Sequence, residues 1–346
     1  MFYKAIGLMS GTSLDGLDIA YTEFELKEGK WKYRIREAET ITYDRRMVER
    51  LREAENTSSL EFVRIDKEFG EFMGLAVKEF VDKHGLSPDL IASHGQTIFH
   101  QPNHGLTTQI GDINQIAAIT GIMTIGDFRR KDLALGGQGA PLVPIGDRLL
   151  FHEYPFCLNI GGFSNISFEE DGKRIAYDIC PSNLVLNRLC EELGLDYDKD
   201  GEIAKNGHIE KDMLSKLNSL EFYKIKNRKS LGKEWVLENI DPILESYSIS
   251  IEDKVATFTE HISVQIAKNI SGNTLITGGG AYNKHLINQI KSKTHHSIHI
   301  PDPIIIDYKE AMIFAFLGIL RLRGENNALA SVTGARKDSS LGLIAI

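Results

Sequence analysis

The side chains in this sequence that can do chemistry are a few carboxylates, one arginine cluster and three glycine-rich turns. The first turn holds Gly11, Thr12, Ser13, Asp15, Gly16 and Asp18, with Leu14 and Leu17 between them. The N–H and O–H groups at such a tip can donate to phosphate oxygens. Asp15 and Asp18 add hard oxygen ligands of the kind Mg2+ prefers, directly or through water. The plain alternative is a β-hairpin whose glycines and aspartates serve only its turn. A second turn carries Gly161, Gly162, Ser164 and Asn165, and a third follows Thr277 as Gly278, Gly279 and Gly280. One such turn says little. Three, each after an apolar strand-like run, favour a nucleotide site, although neither G-x-x-x-x-G-K-[ST] nor G-x-G-x-x-G occurs.

Asp178 ends a predicted strand just before a Pro-Ser-Asn turn and a helix. A carboxylate there can cap the helix, or serve as a general base if it reaches the reacting atom. Arg129 opens the run Arg129-Arg-Lys-Asp132, which reads as a solvated charge cluster or as a contact for phosphate or substrate. The second reading draws on its place between Thr124-Ile125 and the glycines at 136, 137 and 139. His94, at a strand end, suits a hydrogen-bond donor to substrate. It does not form a zinc set with His100 and His104, nor do His295, His296 and His299, because converging ligand spacing is absent. Glu310, near the start of the last apolar helix, is by default a partner of that helix's dipole.

The elements that must position these groups show in the periodicity. The run Ala5 to Met9 and the pattern from Ile19 flank the first turn as strands. Trp31 to Ile35 and Thr40 to Tyr43 continue the extended pattern. Phe62, Ile65, Phe69, Phe72, Met73, Ala76 and Phe80 predict a helix that Gly85 and Pro88 end. Asp89 to Ala92 is then a short strand leading into Ser93-His-Gly-Gln-Thr97, and ligands bind at the carboxyl ends of such strands. From Phe156 the order repeats: strand, Gly-Gly turn, strand, strand to Asp178, a helix from near Ser182, a long helix over 251–270 and the strand Thr274 to Thr277. An internally duplicated α/β fold is predicted. Ile304-Ile-Ile-Asp307 reads as a strand before an apolar helix over 308–323. The expected domains are 1–153, completed by a C-terminal segment, and 154–346.

With 346 residues, 42% of them hydrophobic and 25% charged, the chain can bury two cores. A net charge of −8 leaves no basic field for a nucleic acid. The apolar stretch Ala311 to Leu320 is too short to span a bilayer, and the start lacks a signal-peptide pattern. Three cysteines without paired spacing suit a reducing compartment. A cytoplasmic chain without nucleic-acid or membrane partners is expected.

Several stretches together resemble the anhydro-N-acetylmuramic acid kinases: Gly7-Leu-Met-Ser-Gly-Thr-Ser-Leu-Asp-Gly-Leu-Asp18, Ser93-His-Gly-Gln-Thr97, Gly126-Asp-Phe-Arg129, Gly136-Gly-Gln-Gly-Ala-Pro-Leu-Val-Pro144, Asn159-Ile-Gly-Gly-Phe-Ser-Asn165, Thr277-Gly-Gly-Gly-Ala-Tyr-Asn283 and Ala330-Ser-Val-Thr-Gly-Ala335. The resemblance implies the fold of sugar kinases, actin and Hsp70, with two ribonuclease-H-like domains around an ATP cleft. It implies Mg2+ and ATP at the glycine turns, with Asp15 and Asp18 on the metal. It further implies His94, Gln96, Arg129 and Asn183 at a 1,6-anhydro-N-acetylmuramic acid substrate, Asp178 as the base, Arg129 and Glu310 beside the reaction, and a homodimer. One segment departs from the family's usual Asp-Thr-Gly-Pro-Gly-Asn: here it is Asp178-Ile-Cys-Pro-Ser-Asn183. A related amino-sugar kinase, or a catalytically silent sugar or nucleotide sensor, are the alternative readings.

Overall fold

A computed structural model of the chain describes residues 1–11, 13–225 and 229–346. It divides into two compact units, one of residues 1–150 with 308–346 and the other of residues 151–307. The last 39 or so residues therefore pack with the first unit, whereas the sequence reading kept all of 154–346 as the second domain with a segment returning.

In the first unit, β1 (Phe2–Ser10), β2 (Gly16–Lys27) and β3 (Lys30–Thr42) form an antiparallel meander. β3 is one continuous strand, in line with the extended pattern over Trp31 to Tyr43. Its middle, Arg36 to Glu39, is mostly charged and largely half-buried, which its place at the sheet edge allows. β4 (Leu90–Ser93) pairs parallel to β1, and β7 (Thr124–Gly126) parallel to β4. β5 (Gln96–Gln101) and β6 (Leu106–Ile110) make a separate hairpin between them. A last strand, β13 (Leu343–Ala345), closes the edge, so the sheet order is β13-β7-β4-β1-β2-β3.

The helix Ser59–His84 covers one face, burying Phe69, Met73, Val77 and Phe80 against Ile6, Leu8, Leu17 and Ile19. Ser58 caps its start and Gly85 its end in the left-handed conformation. The other face takes the helix Pro303–Leu322, of which residues from Tyr308 on belong to this unit. It packs so closely that a Cβ on Gly7 would overlap the carbonyl of Ala311. Phe316 stacks on Phe24 at 5.4 Å and meets the Trp31 edge at 5.0 Å. The predicted strand at 304–307 is the start of this helix. Pro303 is preset for a first turn, and the N–H groups of Ile305 and Ile306 bond back to the Asp302 carbonyl.

The second unit repeats the plan. β8 (Phe156–Ile160), β9 (Phe163–Glu170) and β10 (Lys173–Pro181) form an antiparallel meander, and β11 (Thr274–Thr277) and β12 (Ile298–His299) add in parallel. The order β10-β9-β8-β11-β12 matches β3-β2-β1-β4-β7 element for element. That order, with the second strand antiparallel to the rest, is the ribonuclease-H-like sheet, present in both units. The helices Ile251–Asn269 and Lys284–Lys293 bury Val255, Phe258, Ile262, Ile266 and Leu286 against Leu158, Ile160 and Ile276.

Candidate functional site

Strand direction decides where the polar residues gather. β1, β4 and β7 are parallel, so Ser10, Ser93 and Gly126 end at the same edge of the first sheet, and the loops after them crowd together. The first turn, Gly11 to Asp15, stands there with Ser13 and Asp15 exposed. Leu14 N–H bonds to Gly11 O at 3.3 Å and Leu14 adopts φ 60°. Thr12 lies outside the described residues. Gly16 and Asp18 begin β2, and Asp18 Oδ1 accepts a bond from the Thr40 hydroxyl at 2.6 Å. The Leu17 side chain is fully buried in the core, so this expected binding residue contributes backbone only.

Beneath the turn lies a buried chain of hydroxyls. Tyr43 donates to Ser10 Oγ at 2.6 Å and Ser10 donates to Gln96 Oε1 at 2.5 Å. Burial raises the Tyr43 pKa, with Asp18 and Asp15 adding to it, which brings both carboxylates within electrostatic reach of one hydroxyl. Gln96 is thus a support beneath the turn, with its carbonyl oxygen already taken.

His94 and Arg129 form the other half of this cluster. Arg129 Nε and Nη2 point at His94 Nε2 at 3.1 and 2.8 Å, and Nη1 donates to Gly139 O at 2.8 Å. His94 Nδ1 lies 2.8 Å from Gly95 O. The guanidinium can only donate, so Nε2 accepts and the proton sits on Nδ1. Burial, helped by the Arg129 charge, holds the His94 pKa down to about 3. The expected donor role of His94 is therefore corrected: both ring nitrogens are engaged inside the protein, and the ring orients Arg129. The Arg129 pKa is lowered to about 10 by desolvation, opposed by Glu310. The Glu310 side chain is exposed, and its carboxyl pKa is raised by desolvation, with Lys309 and Arg129 opposing and Asp18 adding. Solvent screens those influences in proportion. Glu310 lies a full turn and more inside the helix Pro303–Leu322, which weakens its part as a dipole partner.

The glycine-rich loop around Gly136 to Gly139 gets its shape from Asp132, which is buried and so does not belong to a solvated charge cluster as the run Arg129 to Asp132 suggested. Asp132 is buried, accepting from Gly139 N–H at 2.8 Å and from the Thr333 hydroxyl at 2.9 Å. Gln138 N–H bonds to Thr333 O at 3.0 Å. The loop and the 330–335 stretch, far apart in sequence, thus build one support for the Gly139 carbonyl that holds Arg129.

In the second unit the same logic brings together β8, β10 and β11, which run in one direction. Asp178, Asn165, Asn159 and Thr277 sit directly opposite one another on four neighbouring strands, a polar row along one face at the strand ends. A bulge between Asp178 and Cys180 lets β10 bend here. Turn backbones close the row: Ser182 and Leu184 N–H bond to Gly162 O, and Asn183 N–H bonds to Gly161 O at 3.1 Å. Asn183 Nδ2 reaches Ile160 O at 3.4 Å. Gly278 has φ 80°, and a Cβ there would come within 2.6 Å of Asn159 Oδ1 and 2.7 Å of Ile160 O. Only glycine lets the 278–280 turn lie against the 159–162 turn. The predicted residues Gly161, Gly162, Asn165, Asn183, Gly278, Gly279 and Gly280 thus share one sheet edge with Asp178.

Asp178 is half-buried; its Oδ2 accepts from Leu231 N–H at 2.8 Å. Burial raises its carboxyl pKa and the Leu231 bond opposes the rise. The two residues that stand in place of the usual glycines are accommodated. Cys180 and Ser182 are fully buried, and Ser182 Oγ pairs with Ser164 Oγ at 2.5 Å, so the added hydroxyl has a partner. Ser182 stands at the start of the helix Asn183–Glu191 without a side-chain cap bond, because its hydroxyl is spent on Ser164.

Two ribonuclease-H-like units, each with a glycine turn and carboxylates at its strand ends, define a protein of the phosphate-handling α/β class. The anhydro-N-acetylmuramic acid kinase family matches residues 3–346, and the chain belongs to that family. It is 37% identical to the anhydro-N-acetylmuramic acid kinase of Mannheimia succiniciproducens, covering 98% of each chain. The enzyme of that name from Coxiella burnetii is 35% identical, over 99% of this chain and 97% of the other. Among solved structures, a ROK family glucokinase from Streptomyces griseus in complex with glucose and AMPPNP superimposes with a TM-score of 0.43 at 11% identity, covering 91% of this chain and 98% of that one.

Proposed function

We propose that the chain is an ATP-dependent kinase that opens 1,6-anhydro-N-acetylmuramic acid with water and phosphorylates the released O6. Family membership over nearly the whole chain carries this reading. The substrate has no free hydroxyl at O6, since that oxygen bridges to C1, so ring opening and phosphoryl transfer have to be coupled. Water adds its oxygen to C1 and gives a proton to Asp178, the C1–O6 bond breaks, and O6 takes the γ-phosphoryl group as ADP leaves. A half-buried carboxylate whose pKa is raised is a stronger base than an exposed one. Positive charge grows at C1 as the ether opens, and an anionic neighbour favours it.

In this reading Arg129, aimed by His94 and Gly139, binds the substrate or the developing phosphoryl charge. In the first unit Glu310 is the second carboxylate assigned to the sugar, with Gln96 assigned to the substrate beside it; in the second unit Asn183 is the residue assigned to the substrate beside Asp178. The glycine-rich turn backbones, that of 11–18 in the first unit and those of 161–162 and 278–280 in the second, each suit phosphate oxygens. Among the described residues no group of three or more His, Cys, Asp or Glu side chains is placed to hold a metal. Two carboxylates at one turn, Asp15 and Asp18, nevertheless suit Mg2+, which commonly takes one or two protein carboxylates, water and phosphate oxygens. Mg2+ held there supplies charge neutralisation to the phosphates. A cytoplasmic homodimer completes the proposal, and sedimentation of the purified chain tests the dimer.

Turnover in 18O-labelled water tests the reaction. The reading expects label on C1 of the phosphorylated sugar, one ADP per product, and no product from Asp178→Asn. Label confined to phosphate, or phosphorylation only of sugars with a free hydroxyl, points instead to another amino-sugar kinase. Absence of any turnover points to a sensor.

A further inference from the structure

The carboxylate of Asp178 depends on a short segment, residues 229–231, that belongs to no helix or strand. Asp178 N–H donates to Lys229 O at 2.9 Å, and Leu231 N–H donates to Asp178 Oδ2 at 2.8 Å. A segment outside regular structure lacks a ladder of backbone bonds to keep its register, so something else has to fix it.

Lys229 is anchored among aromatic rings. Its ammonium lies 4.5 Å from the centre of the Phe222 ring, 5.8 Å from Tyr177 and 6.0 Å from Tyr223, and donates to Phe222 O at 3.3 Å. A cation over ring faces is attracted by their electron density, the more so when partly desolvated. The rings are themselves held. Tyr177 donates to Asn269 Oδ1 at 2.9 Å, and Tyr223 lies 2.9 Å from His261 Nε2. His261 is fully buried, with Nδ1 2.8 Å from Asn218 Oδ1, which also accepts from Gln265 at 2.6 Å. An amide oxygen only accepts, so Nδ1 carries the proton and Nε2 takes the Tyr223 hydroxyl. Burial, with Lys268 adding, holds the His261 pKa down to about 3, so this support stays neutral.

We propose that Lys229 is a positioning residue for Asp178: its ammonium, clamped by Phe222, Tyr177 and Tyr223, holds the 229–231 segment so that Leu231 N–H stays bonded to the carboxylate. The inference rests on Asp178 being the base. It gives the lysine a task at the reacting end of the second sheet without contact to substrate. It also ties the polar core around His261 to the acidity of Asp178.

The groups facing Asp178 give the sign. On its own strand Cys180 is pushed up to about 12 by burial and stays a thiol. Asn165 opposite on β9 carries no charge. From the helix Ile251–Asn269, Asn269 faces Tyr177, and Lys268 is exposed. On the segment itself Lys229 has its pKa lowered by burial, with Cys180 opposing, and Glu234 follows beyond Gly232. The Leu231 N–H favours the ionised carboxylate, so losing it raises the Asp178 pKa further. A base that protonates at higher pH loses activity sooner as pH falls.

The test compares full-length Lys229→Met and Lys229→Arg with the unaltered protein. Turnover of the anhydro sugar is followed against pH at saturating Mg-ATP, and exchange of the Leu231 amide is followed by hydrogen–deuterium mass spectrometry. Lys229→Met should move the acid limb of kcat up by about one pH unit and lower kcat at neutral pH by roughly tenfold. The Leu231 amide should exchange about tenfold faster, while KM for ATP stays within about twofold, because Lys229 does not touch the phosphate turns. Lys229→Arg keeps a cation over the rings and should restore most of both readouts. An acid limb and a Leu231 exchange rate that do not move in Lys229→Met overturn the proposal, whatever happens to kcat. Should that chain not fold, Lys229→Gln is read by the same criteria. Asp178→Asn run alongside separates the two levels: turnover in that variant removes the base reading, whereas Leu231 exchange still reports on the clamp.

Discussion

Replacing His94 with glutamine removes a titrating group from the first unit while leaving an acceptor for Arg129. His94 is buried and neutral, with its pKa pushed from 6.5 to about 3 by burial and by Arg129. A histidine whose folded pKa is depressed is protonated more readily in the unfolded chain. Its neutral, buried form therefore contributes full stability above the unfolded pKa, and that contribution is lost as pH falls from about 6.5 toward about 3. Between pH 7 and pH 5 the unfolded chain gains most of a proton that the folded unit refuses. The linked loss is about 2 kcal/mol for this one residue.

Trp31 is buried in the first unit, so its fluorescence follows unfolding there once Trp235 is replaced by phenylalanine. Urea titrations at pH 7 and pH 5 on that background give the comparison. Every other histidine is common to both proteins and cancels. His94→Gln should lose about 2 kcal/mol less than its parent over that interval. His94→Phe should lose its pH dependence likewise. It also takes away the acceptor for Arg129, a charged hydrogen-bonded contact of about 2 kcal/mol or more, and so should lower kcat/KM for the sugar about thirtyfold or beyond. A His94→Gln protein that loses stability between pH 7 and 5 as steeply as its parent would refute the buried, neutral histidine and the orienting role derived from it.

Two further outcomes test the supports. Asp15→Asn should raise the Mg2+ concentration needed for half-maximal turnover several-fold with little change in KM for the sugar. An unaltered Mg2+ dependence would take Asp15 out of the metal site. Asp132→Ala removes an acceptor of two hydrogen bonds, from Gly139 and Thr333, and should destabilise the first unit by about 3 kcal/mol while releasing Gly139 O from Arg129. Urea melts followed through Trp31 measure the first effect, and a loss of kcat/KM larger than the unfolded fraction measures the second.

The repeated strand, turn and strand units were legible because their causes are local. Alternation of apolar residues, glycine at turns and the Ser58 and Gly85 helix signals act within a few residues, and the two sheets followed from them with the same element order. Misreadings arose where local preference is weak or outvoted. Residues 304–307 look like a β-branched strand, but Pro303 and the apolar helix downstream commit them to a helix.

By itself the sequence determined the fold class and the three glycine turns, and it named the candidate carboxylates, since each is written in a contiguous stretch. Sheet order and strand direction decided which of those residues meet. They bring His94 to Arg129 across 35 positions and Thr333 to Asp132 across 201, and line up Asp178 with Asn165, Asn159 and Thr277. Whether His94 donates or accepts, and whether Leu231 restrains Asp178, depends on atoms within about 3 Å of one another. Such contacts between distant segments exist only after the chain has packed, because hydrogen-bond chemistry is short-ranged and composition carries no record of which groups will meet.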